Sequence, residues 1–149
     1  MNVVLDDRLL RDVLIVEEPR WLRRKRGRGS LVTTGTWYYR LCGALTDPHF
    51  GGSLSGPIAG LPGPIRTSVL RRVVELPDTV QLTSLSELAW GAAGLGRKHG
   101  LNLLAAEALA AALHHGAGIA AGGVLPPRLF DAAEAEGIPL LSEGTSRLG

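Results

Sequence analysis

Apolar residues come in short runs separated by amphipathic stretches. Val3-Val4-Leu5 is an apolar run that ends on two acids and reads as a buried strand. Asp7 is placed to cap the helix that follows, Arg8 to about Ile15, with Leu9, Leu10, Val13 and Leu14 on one face. Glu17-Glu18-Pro19 stops it. Leu31-Val32-Thr33 reads as a second strand, and Thr34 or Gly35 opens a helix through Trp37, Tyr38, Leu41 and Leu45. Ile65 to Leu76 is amphipathic, with Arg66, Arg71 and Arg72 outward, and Val80-Gln81-Leu82 is a third strand. Ser84 and Glu87 have capping-box spacing ahead of a helix that runs to about Lys98. Asn102 caps the next helix, Leu103 to His115, and Gly116 ends it. Gly118 to Ala121 is a fourth strand. Pro126-Pro127 starts a helix to about Glu136, and Ile138 to Leu141 is the last strand.

Strands alternate with helices throughout. That pattern predicts an α/β three-layer sandwich, a short, mostly parallel sheet flanked by helices. In such sheets, ligands bind beyond the carboxyl ends of the strands. Asp6 and Asp7 stand at one such end and Gly122-Gly123 at another. Adjacent side chains at a strand end point to opposite faces, so Asp6 and Asp7 are not expected to chelate one ion together.

At 149 residues the chain has the length of one domain, here residues 1–149. Its 45% hydrophobic content can fill a core, which excludes a disordered tail. The lone Cys42 excludes a disulfide framework. No stretch is apolar enough to cross a membrane, and acids at positions 6 and 7 argue against a signal peptide. A cytoplasmic location is the expectation.

The net charge of +2 hides an asymmetry. Residues 1–75 carry 12 basic and 7 acidic side chains, whereas residues 76–149 carry 4 and 7. The segment 20–30 concentrates six of the 16 basic residues: Arg20, Arg23, Arg24, Lys25, Arg26 and Arg28. Such a cluster attracts phosphate backbones through counterion release. Trp21 inside it, and Trp37, Tyr38 and Tyr39 nearby, are candidates to stack on unpaired bases. A solvated basic loop is the alternative. Residues 47–64 form a loop of roughly 18 residues, with five Gly and four Pro, long for a compact domain. His49 and His99 read as surface residues, and Trp90 as a core or dimer contact. Gly116 to Gly123 fails as a dinucleotide fingerprint, because its glycines flank a strand instead of following one.

Three segments, VVLDDRLLRDVL, LVTTGTWYYRL and GLNLLAAEALAAALHHGAGIAAGG…LFDAAEAEGIPLL, together resemble the PIN domain. That family is a metal-dependent ribonuclease fold common among toxins of toxin–antitoxin pairs. The resemblance implies three or four carboxylates holding Mg²⁺ or Mn²⁺, a homodimer, and RNA or an antitoxin-like protein as partner. Asp6 matches the family's first acid. The second position falls on Arg40, the third on Ala105 with Glu107 two residues away, and the fourth on Gly122 or Gly123. The candidate catalytic residues are Asp6, Asp7 and Glu107, with Asp6 and Glu107 as metal ligands. The candidate nucleic-acid contacts are the six residues of segment 20–30 with Arg40, Trp37 and Tyr38. Three functions stay open: a nucleic-acid-binding domain with a mostly lost acidic site, an active ribonuclease toxin, and a protein-interaction module.

Overall fold

The computed structural model describes residues 1–49 and 51–144. Five strands, β1 (Asn2–Leu5), β2 (Leu31–Thr34), β3 (Val80–Thr83), β4 (Ala117–Ala120) and β5 (Leu140–Leu141), form one sheet in the order β3-β2-β1-β4-β5. All four pairings are parallel. Among the described residues the helices are α1 (Asp7–Ile15), α2 (Arg20–Arg26), α3 (Gly35–Thr46), α4 (Gly56–Ala59), α5 (Gly63–Val74), α6 (Leu85–His99), α7 (Leu103–His115) and α8 (Pro127–Ala135).

The alternation of strand side chains builds two cores. Val4, Val32 and Ile119 point to the side covered by α6, α7 and α8, where the small side chains of α7 let that helix lie close. Val3, Leu5, Leu31, Ala120 and Leu141 point to the side covered by α1, α2, α3, α4 and α5. Helix α3 serves both, with Trp37 in the first core and Leu41 and Leu45 in the second. This is the expected three-layer sandwich. The order places β1 at the centre, so Asp6 and Asp7 leave the middle of the carboxyl edge.

Several local expectations change. Asp6, not Asp7, is the N-cap of α1: its Oδ1 accepts the Leu9 N–H at 2.9 Å. Thr34 caps α3 and Asn102 caps α7, as their sequence positions predict. Ser84 makes no side-chain cap; its Oγ pairs with Ser86 Oγ at 2.8 Å, so the capping box at Ser84 and Glu87 is not formed. The basic stretch is helical from Arg20 to Arg26. Arg23, Arg24, Lys25 and Arg26 occupy its last turn, where cations suit the negative end of the helix dipole. Gly27, at φ 53°, ends it in a conformation that glycine tolerates best. The 47–64 segment contains α4 and the start of α5, and it is anchored by Ile58, which is 1% exposed. Trp90 is 94% exposed and lies outside both cores. His99 is half-buried against Glu136, with Nε2 2.8 Å from Oε1.

Ile58 makes the long segment part of the second core. Ile58→Ala is expected to lower the unfolding free energy by about 2–5 kcal/mol in urea denaturation. A loss below about 0.5 kcal/mol would mean that the segment contributes nothing to folding.

Candidate functional site

The chain turns at the end of β1, and this turn sets the site. Asp6 is still extended, at ψ 177°, while Asp7 is the first residue of α1. Strand alternation therefore stops between them. Contrary to the expectation of opposite faces, both line one cavity of about 190 Å³ with Arg8, Trp37, Arg40 and Gly123.

Asp6 is buried and fully engaged. Oδ1 caps α1, and Oδ2 accepts the N–H groups of Gly122 and Gly123 at 2.9 and 3.1 Å. Burial raises its pKa above the usual carboxylate value, the three backbone N–H bonds oppose that, and the neighbouring charge of Asp7 adds to it. Asp7 Oδ1 accepts the Arg8 N–H at 2.9 Å, and its Oδ2 lies 3.4 Å from Arg40 Nε. The guanidinium is the more exposed partner, its side chain at 55%. An arginine thus faces the second aspartate of the pair.

Glu107 is elsewhere. It is 1% exposed, and Oε1 accepts the Thr36 N–H at 2.8 Å, at the first turn of α3. Negative charge is favourable at that helix end. Glu107 does not line the cavity of Asp6 and Asp7.

The turn after β4 is crowded at Gly122 and Gly123. A Cβ on Gly122 would come within 3.1 Å of Arg8 Cβ and 3.3 Å of Leu9 Cγ, and one on Gly123 within 3.2 Å of Arg8 Cδ. Ala105 is buried in the core beneath α7. The residues present do not fit Mg²⁺ or Mn²⁺, which need several converging oxygens. Asp7 faces a cation, Glu107 faces a helix N-terminus, and no further carboxylate joins Asp6. Among the described residues, no group of three or more His, Cys, Asp or Glu is arranged to hold a metal.

The candidate nucleic-acid contacts divide. Arg20, Arg23, Arg24 and Arg28 are exposed, and Lys25 is half-buried. Arg26 is committed to the fold. It forms a two-pronged pair with Glu18 through Nε and NH2, donates to Gly29 O at 3.2 Å, and its own carbonyl accepts the Met1 amine at 2.9 Å. Trp37 is core and has no face free for a base. The Tyr38 hydroxyl donates to Val73 O at 2.6 Å, and burial pushes its pKa up. Tyr39 is the exposed aromatic of α3, at 75%.

Two arginines of α1 that the sequence did not single out for this role tie it to the 47–64 segment. Arg8 NH2 donates to Ser53 Oγ at 3.0 Å, and Arg11 NH1 donates to Ser53 O at 3.1 Å. No spacing signal links residues 8 and 53, because the contact depends on how the 47–64 segment folds back.

A second, larger cavity of about 600 Å³ borders the first at Gly123. It lies beyond the ends of β4 and β5 and is lined by Arg20, Trp21, Arg24, Asp12 and Glu143 over the backbone of Ala121 to Gly123. Helix α2 therefore presents Arg20 and Arg24 where open α/β sheets bind ligands. No family model and no curated protein matches the chain. No helix among the described residues is long and apolar enough to cross a membrane.

Two outcomes test these assignments. Asp6→Asn keeps an oxygen for the Leu9 N–H but turns an amide donor toward the N–H groups of Gly122 and Gly123. It is expected to cost about 1–3 kcal/mol in urea unfolding, and an unchanged midpoint would refute the role of Oδ2. Glu18 has its pKa held below the usual carboxylate value, chiefly by the Arg26 hydrogen bond. Its stabilisation is present above the unfolded value, near 4.5, and is lost as pH falls through the lowered folded value. Glu18→Gln should therefore be less stable than the parent at pH 7, with the gap shrinking on acidification below 4.5. A gap that does not shrink on acidification would exclude the charged pair.

Proposed function

We propose that this chain is a PIN-like domain that binds single-stranded RNA along the carboxyl edge of its sheet and does not depend on a divalent metal to hold it. The observation that carries the reading is the placement of α2. Its exposed Arg20, Arg23 and Arg24, continued by Arg28, form a basic surface, and Arg20 and Arg24 border the crevice beyond β4 and β5. Arg40 and Arg8 also line the central cavity, where they share it with the Asp6 and Asp7 carboxylates. Guanidinium groups suit phosphate oxygens because they donate in a planar fork.

The site chemistry favours holding over cutting. Metal-assisted phosphodiester hydrolysis needs an ion that activates water and neutralises charge on the phosphate. Here the carboxylates support helix ends and a glycine turn, and the positive charge is supplied by fixed arginines. The resemblance to toxin ribonucleases fits such a domain with its acidic site rebuilt for binding.

The test is fluorescence anisotropy of a labelled single-stranded RNA in EDTA over a salt series. Binding should weaken steeply with salt, and Arg20→Ala with Arg24→Ala should lower the log–log salt slope by about 0.7 per lost phosphate contact. RNA cleavage that requires Mn²⁺ and is lost in Asp6→Asn would overturn the reading in favour of a ribonuclease. No RNA binding at low salt would refute it outright.

A further inference from the structure

The crevice beside α2 offers more than charge. Its volume, about 600 Å³, lies in the range that encloses a small organic ligand. Its floor is the backbone of Ala121 to Gly123, with Gly122 packed close to Arg8 and Leu9. Asp6 holds that floor rigid through its two bonds to Gly122 and Gly123. Trp21, half-buried, supplies an aromatic wall, the one aromatic side chain among the described residues that lines the crevice. Arg20 and Arg24 supply donors, and Asp12 and Glu143 supply acceptors. Asp12 is already paired with Arg11, its Oδ1 taking Nε and NH2 at 2.9 and 2.8 Å, and Glu143, exposed at the rim, is the less engaged acceptor.

A phosphate-only site would not combine these groups. Carboxylates repel phosphate, and an aromatic wall adds nothing to its recognition. A nucleotide uses all three: the phosphate takes the guanidinium groups, the base stacks on the indole, and the donors on the base edge meet a carboxylate. Guanine presents two adjacent donors on its pairing edge, which match one carboxylate in a two-pronged contact. Uracil offers one N–H between two carbonyl oxygens, and those oxygens would face the acid.

We infer that the crevice between α2 and the ends of β4 and β5 is a pocket for one unstacked nucleotide, with a preference for guanine over uracil. The inference deepens the RNA-binding reading: it assigns one base-specific position to a surface otherwise held by backbone charge.

The experiment titrates the intact chain with GMP, UMP and inorganic phosphate, following tryptophan emission and, in parallel, calorimetry. Saturable binding of GMP is expected, with UMP weaker by about tenfold, the scale of one well-matched base-edge contact. Trp21→Leu, which keeps an apolar side chain against the core, should abolish the emission change and weaken GMP by about tenfold. Arg24→Ala, an exposed change that leaves folding intact by circular dichroism, should weaken GMP and UMP alike. Glu143→Gln should erase the preference between them. GMP and inorganic phosphate binding equally well would reduce the crevice to an anion site and overturn the inference. So would RNA binding that persists while neither nucleotide binds; that outcome leaves the RNA-binding reading standing. GMP binding with no RNA binding would refute that reading and keep the pocket.

Discussion

The Asp6 carboxylate gathers three backbone N–H groups from two parts of the chain that are far apart in sequence. One belongs to the first turn of α1, and two belong to the turn that leaves β4. Each is a donor that a helix start or a tight turn leaves without a backbone partner. Removing them from water without an acceptor would be costly, so the centre of the carboxyl edge depends on this one side chain. Burial opposes its ionisation while the N–H groups favour it, and the group is held between those pressures. Both cavities at this edge border the Gly122-Gly123 turn that it fixes.

Around that centre, charges are matched locally in place of a shared metal. Arg40 faces Asp7, Glu107 faces the start of α3, and Arg26 is taken up by Glu18. Each pairing removes one candidate from a cooperative site. What is left exposed is uniformly basic along α2, apart from a weak 3.7 Å approach of Arg23 to Glu18. An edge with neutralised acids and outward arginines is suited to a polyanion. The 47–64 segment is part of the same arrangement, because Ser53 takes hydrogen bonds from Arg8 and Arg11 while Ile58 fills the core.

Much of the fold was legible because it rests on local rules. The alternation in Val3-Val4-Leu5 and Leu31-Val32 assigned side chains to two faces, and the two cores follow that assignment. Caps at Thr34 and Asn102 and the glycine stop at Gly116 lie at the helix ends. The basic segment was harder. Charge and glycine content suggested a loop, but the ion pair between Arg26 and Glu18 and the burial of Leu22 hold a helix there. Trp37 and Trp90 show the same limit in opposite directions. Each lies on an amphipathic helix, and only the neighbours show that the first is covered and the second is not.

The sequence by itself determined the alternation of strands and helices, the two-sided core and the concentration of positive charge at 20–28. These follow from side-chain periodicity and residue identity, which need no knowledge of distant contacts. Tertiary structure alone decided what each surviving acid does. Asp6 and Asp7 share a cavity because the chain turns from strand to helix between them, and Glu107 is withdrawn because the N-terminus of α3 lies against α7. A carboxylate becomes a ligand, a cap or an ion-pair partner according to which donor reaches it first. That is a matter of a few ångströms between residues up to 117 positions apart in the chain.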